Sequence, residues 1–128
     1  MVTKNKYAKG GGGRFVALQE WMQNTEAWGT MPSGPRALYI ELKRRYNGSN
    51  NGTIYLSHRD AATALAAHRN TVGGWFKELE RRGFIVMTRA PHLGPSGVGR
   101  SSTWALTEFP TTEGHRATLA FKQFKTPA

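Results

Sequence analysis

A chain of 128 residues suits one domain with a true core and leaves little room for a second. With 38% hydrophobic residues, four Trp and six Phe it is globular rather than disordered, and the lack of Cys excludes disulfides and thiolate metal sites. Eighteen Lys and Arg against eight Asp and Glu give a net charge of +10, which points to a polyanionic partner, nucleic acid before anionic membrane.

Residues 1–13 carry Lys4, Lys6, Lys9 and the run Gly10–Gly13. Glycine loses the most freedom on ordering, so this stretch reads as a flexible basic arm. It is either a plain terminus or an arm for phosphates or a minor groove. Met1 to Arg14 has no apolar core of a signal peptide, and no apolar run reaches about 18 residues, so the expected location is cytoplasmic and nucleoid-associated, with no membrane partner. The domain is expected over 14–110, with 111–128 as a C-terminal tail.

Phe15, Leu18 and Met22 fall at helical spacing, with Trp21 beside them, and predict an amphipathic helix over Phe15–Gln23. Thr25 is placed to cap a turn holding Ala27 and Trp28. Ser33 is the expected N-cap of the next helix, with Pro35 in its first turn and Leu38, Tyr39, Leu42 and Tyr46 on one side. Lys43, Arg44 and Arg45 crowd its end, where they suit either the helix dipole or phosphate contacts. Asn47–Gly52 is turn chemistry that needs no role beyond allowing positive φ.

Thr53–Leu56 predicts a short strand, and Ser57 starts a helix with Asp60 at the N3 position of a capping pair. Ala61, Ala62, Leu65 and Ala66 give that helix a small-residue inner face. After the turn Ala67-His68-Arg69, a helix opens with Val72, Trp75, Phe76 and Leu79 as its core stripe. Gly83 sits where a helix-ending glycine belongs. Phe84–Thr88 and Ser102–Thr107 read as strands around the Gly- and Pro-rich loop Pro91–Arg100, a long-looped hairpin. Beyond Phe109-Pro110 the pattern fades. Thr112 is a candidate cap for a short helix, and Leu119, Phe121 and Phe124 suggest either a packed tail or a partner-binding segment.

Three residue runs carry a resemblance. They are Ser57-His58-Arg59-Asp60-Ala61-Ala62, then Asn70-Thr71-Val72-Gly73-Gly74-Trp75-Phe76-Lys77-Glu78-Leu79, then Arg81-Arg82-Gly83-Phe84-Ile85. Their order, roughly from Ser33 to Phe109, resembles the winged helix-turn-helix class: MarR- and GntR-type regulators and the winged helices of plasmid and phage replication initiators. The segment from Arg45 to Gly52 also looks like small winged-helix proteins of bacterial mobile elements. The resemblance implies an α+β, mainly helical fold: three core helices, a short strand, a β-hairpin wing and an extra N-terminal helix.

Such a fold presents its second helix to a major groove, with the N-terminal residues nearest the base edges. Those residues are Arg69, Asn70 and Thr71, with Gly73, Gly74 and Lys77 one and two turns on. Arg pairs with guanine, Asn with adenine, and Lys77 suits a phosphate. Two mid-helix glycines cost roughly 1 kcal/mol each against Ala and remove side chains where the class carries longer polar ones. Ser57, His58 and Arg59 stand at a helix start suited to an anion, and His92, Arg100 and Ser101 belong to the wing.

The expected partner is double-stranded DNA, with a homodimer through the N-terminal helix and C-terminal tail as an option. A transcriptional regulator, a replication or recombination accessory factor and a protein–protein docking module remain open. No nucleotide-binding glycine motif and no His pair at ligand spacing occur, so neither an enzyme nor a cofactor or metal protein is expected.

Overall fold

The computed structural model describes residues 13–90, 92–93, 99–100 and 102–127. Within them the chain is α+β, with five α-helices, a 3-10 helix at Ala120–Gln123 and a three-stranded antiparallel sheet. The expected arm over residues 1–12 lies outside the described residues, as do Pro91, residues 94–98 and Ser101.

The expected helix over Phe15–Gln23 is only one turn, α1, Glu20–Gln23. The carbonyls that would accept the earlier helical bonds are taken by side chains: Lys43 Nζ donates to Ala17 and Gln23 Nε2 to Leu18. Phe15 is left 84% exposed rather than in the core. In α2, Glu26–Gly29, Thr25 caps as its position predicts, its hydroxyl accepting from the Trp28 amide.

The long helix α3, Ser33–Arg45, begins one residue earlier than expected. Pro32 is its N-cap and Ser33 its first residue, with no side-chain cap bond, because the proline already holds the extended backbone needed there. Leu38, Tyr39 and Leu42 are fully buried. In the Asn47–Gly52 turn only Gly48 and Gly52 have positive φ. Asn51 does more than turn chemistry requires: its buried amide accepts from Leu106 N and donates to the carbonyls of Leu106, Phe109 and Pro110.

After β1, Ile54–Tyr55, comes α4, His58–Leu65, capped by Ser57, whose hydroxyl accepts from Asp60 N at 2.9 Å. It stops at Ala66, which is left-handed (φ 53) and exposed rather than part of an inner face. Helix α5, Arg69–Arg81, follows at once, with His68 Nδ1 accepting from Asn70 N at 3.1 Å. It ends at Gly83 (φ +88), where Gly83 N reaches Glu80 O and Phe84 N reaches Leu79 O. That pair of bonds satisfies the last carbonyls and turns the chain into the sheet.

Strands β2, Ile85–Arg89, and β5, Thr103–Leu106, pair antiparallel, and β1 joins the other edge of β5. Ile85 faces Leu106 and Ile54 faces Trp104. A bulge falls between Met87 and Arg89, and beyond it β3, His92–Leu93, pairs with β4, Gly99–Arg100. The connection between β2 and β5 is therefore a hairpin that pairs again toward its tip.

Two aromatic groups fill the core. Phe84 lies against Trp28, Tyr39 and Phe121, and Phe76 stacks on Trp104 at 5.2 Å. Each such ring contributes roughly 1.5–3 kcal/mol by leaving water. Phe121 comes from the tail, which packs into the core. Trp28 is buried too, and Trp21, 43% exposed, stacks on Phe121. Trp21 and Phe121, from the two segments expected at a dimer contact, thus meet within one chain, while Phe15 stays exposed. Thr112 starts no helix; its hydroxyl donates to Ser49 O and fastens the tail to the Asn47–Gly52 turn.

Candidate nucleic-acid interface

The candidate surface is built on α5, because its sequence divides cleanly into two faces. Val72, Phe76 and Leu79 are buried, and Trp75 is half-buried beside them. Residues three and four apart share a helix face, so Asn70, Gly74 and Lys77 form a ridge on the opposite side. All three are exposed, as are Arg69 and Thr71 in the first turn. The capping bond from His68 leaves the Asn70 side chain without a partner among the described residues, free to meet a ligand.

The start of α4 flanks this ridge. Ser57 spends its acceptor on the cap, and Arg59 is exposed with no ion pair among the described residues. His58 is exposed at its edge, yet its ring stacks on Phe76 at 4.8 Å and 22°. A Cβ built on Gly73 would lie 3.4 Å from His58 Cε1, whereas one on Gly74 would meet nothing within 4 Å. The two adjacent glycines therefore differ: Gly73 faces the His58 ring with room for ordinary contact, and Gly74 leaves a notch in the outer ridge between Asn70 and Lys77.

Carboxylates are sparse along the same surface. From Ser57 to Lys77 the chain holds one carboxylate, Asp60, against Arg59, Arg69 and Lys77. Elsewhere six cations pair with carboxylates, while Arg14, Arg36, Arg89, Arg116 and Lys122 form no ion pair among the described residues. Lys43, expected as either a dipole or a phosphate residue, is buried 2.9 Å from Glu108, which also accepts from Tyr39 at 2.6 Å. Burial and the neighbouring Glu108 carboxylate push the Tyr39 hydroxyl well above its ordinary range, so it stays a donor. Arg44 and Arg45 both pair with Glu41, and Arg81 and Arg82 both pair with Glu78.

In the hairpin, His92 and Arg100 face each other across β3 and β4, while their side chains and Ser101 lie outside the described residues. Arg89, at the end of β2, is exposed with no ion pair among the described residues and joins the cationic set. Its signal in the sequence was a lone arginine directly after an apolar strand. Gly34 lies in the first turn of α3. A Cβ there would lie 2.2 Å from Cε2 of Trp75, so this glycine is the seat of a large α5 side chain.

Among the described residues no three His, Cys, Asp or Glu side chains gather in metal-binding range, and no helix is long and apolar enough to cross a membrane. No protein-family model matches the chain, and no curated protein or solved structure matches it.

Proposed function

We propose that this protein is a winged helix-turn-helix that binds double-stranded DNA with a sequence preference. In this reading α3, α4 and α5 are the three core helices, and the hairpin from β2 to β5 is the wing. Helix α5 enters the major groove, and the wing and basic arm lie on the backbone or in the minor groove. The role that suits a small basic protein of this kind is a bacterial or mobile-element transcriptional regulator acting on the nucleoid. A replication or recombination accessory factor uses the same surface.

One observation carries the reading: the exposed side of α5 and the start of α4 keep Arg59, Arg69 and Lys77 free of ion pairs in a stretch with one carboxylate, Asp60, while Lys43, Arg44, Arg45, Arg81 and Arg82 are paired. Free charge held on an ordered helix costs solvation only if a partner replaces the water, and phosphates do so with release of counterions. If six to eight cations contact phosphates, the slope of log K against log salt is roughly −5 to −7. Fluorescence anisotropy on random duplex DNA across a salt series measures it. Absence of binding at low salt, or a flat slope, overturns the DNA reading and favours a protein-docking role.

The ridge assigns distinct roles to its members. With a selected binding site in hand, Asn70→Ala relaxes sequence preference by about tenfold, the value of one bidentate base contact. Lys77→Ala weakens all sequences alike and leaves preference intact. Equal behaviour of the two variants contradicts the assignment. A footprint with two half-sites one helical turn apart, together with the solution mass, distinguishes a dimeric regulator from a monomeric accessory factor.

A further inference from the structure

We infer that the roll of α5 about its own axis is held from both flanks, by Trp75 seated on Gly34 of α3 and by the His58 ring of α4, which stacks on Phe76 beside Gly73. This makes Trp75 and His58 positioning residues for whatever the outer ridge binds. The inference rests on the proposed function for its consequence but not for its geometry.

At 100° per residue, Trp75 and Gly73 project from α5 on opposite sides of the line through its buried stripe. On one side the indole covers Gly34 so closely that a Cβ would sit 2.2 Å from Cε2 and 2.4 Å from Nε1. Only glycine allows that approach between a helix backbone and a ring. On the other side the His58 imidazole lies within ordinary contact of a Cβ built on Gly73, and it is itself held in place by stacking on Phe76. Phe76 in turn stacks on Trp104 of the sheet, so the His58 seat is fixed by a column of three rings anchored in the core.

A helix packed only by Val72, Phe76 and Leu79 would tolerate some roll, since apolar contact is non-directional. Contacts on both flanks oppose it: rolling one way drives the Gly34 backbone into the Trp75 ring, and rolling the other way unstacks His58 from Phe76. The consequence falls on the ridge. A roll of one third of the residue step carries Asn70 and Lys77 sideways by about 3 Å at the radius of their side-chain tips, enough to lose a bidentate base contact but not a phosphate contact made by a long flexible lysine. The lock therefore serves discrimination between sequences rather than general affinity.

The test is Gly34→Ala, with Gly29→Ala as the control, because a Cβ at Gly29 meets nothing within 4 Å. The first readout needs no DNA. In the native protein, proton–proton contacts by NMR connect Gly34 with the Trp75 ring and Gly73 with the His58 ring. Gly34→Ala is expected to change the Gly73–His58 contacts on the far flank, although the substituted residue touches neither. Unchanged far-flank contacts in a folded Gly34→Ala protein overturn the lock. Trp75→Leu removes the seat without a clash and supplies the same readout if Gly34→Ala does not fold; its far-flank contacts must change too.

The second readout is the ratio of affinities for a selected duplex and a random one. It is expected to fall about tenfold in Gly34→Ala and Trp75→Leu, with random-duplex affinity within about twofold of the native protein. A preserved ratio alongside altered far-flank contacts shows that the roll does not set discrimination and overturns the positioning role. A native protein that binds no DNA overturns the proposed function, while the far-flank contacts still decide the lock.

Discussion

The last turn of α3 and the first half of α5 are both basic in sequence, and the fold uses them in opposite ways. Lys43-Arg44-Arg45 is turned inward or sideways onto Glu41 and Glu108, and its charge is spent on holding the molecule together. Arg69 and Lys77, with Arg59 beside them, meet no carboxylate among the described residues. The difference lies in the acids. Glu41 stands three and four residues ahead of Arg44 and Arg45, the spacing at which side chains meet on a helix, whereas no acid stands at that distance before Lys77. A count of cations therefore overstates the charge available to a ligand, and the positions of eight carboxylates locate what remains.

The sharpest way to break this comparison is at Lys43. Its ammonium lies between Glu108, which also holds Tyr39, and the Ala17 carbonyl that ties the N-terminal segment to α3. Lys43→Ala leaves a buried carboxylate without its counter-charge and is expected to cost about 3–5 kcal/mol in urea unfolding. Replacing both partners, Lys43→Met with Glu108→Gln, recovers most of that loss, because the double change leaves no buried charge unpaired. DNA affinity of the folded double variant stays unchanged if Lys43 is structural. A weaker affinity would return Lys43 to the phosphate contacts.

The opposite behaviour is expected at the open cations. Arg59→Ala, Arg69→Ala and Lys77→Ala combined shift stability by only about 0.5 kcal/mol each at most, since none touches a partner. Each phosphate contact removed lowers the salt slope by about 0.9, so the triple variant loses nearly 3 from it. Anisotropy against salt and urea unfolding on the same samples give both numbers. A triple variant that melts early but keeps its slope reverses the assignment of the two regions.

The helix-and-strand order was legible because periodicity and caps report local physics. Thr25, Ser57 and Gly83 end or begin their elements where their chemistry requires. The N-terminal helix was misread because periodicity cannot show that Ala17 and Leu18 lose their carbonyls to side chains, Lys43 far along the chain and Gln23 five residues on. Gly73-Gly74 was visible as an oddity, but that Gly73 faces a histidine and Gly74 leaves a notch depends on where His58 comes to rest. The Gly34–Trp75 contact joins residues forty-one positions apart, and neither residue carries a local signal of the other. Asn51 was hidden for a different reason: within a run of turn residues, nothing marks the one whose amide goes inside to replace strand bonds.

The smallest effect separates the far end of α5 from its near end by pH. Glu78 takes hydrogen bonds from Arg81 and Arg82, and these hold its carboxyl below the ordinary 4.5, with burial opposing. A carboxylate whose pKa is lower folded than unfolded adds stability above its unfolded value and loses it as pH falls through the folded one. Denaturant midpoints are therefore expected to decline below about pH 4.5. Glu78→Gln removes part of that decline and costs about 1 kcal/mol near neutral pH. The cost stays small because Arg82 keeps its bonds to Ala27 O and to Thr30. Some acid sensitivity remains, because Glu26 is likewise held low, first by the Thr126 hydroxyl and then by its amide. Lys77 meets no carboxylate among the described residues, so Lys77→Ala leaves the acid limb of the curve in place. An acid limb that vanishes with Lys77→Ala would show that the near end of α5 is ion-paired after all.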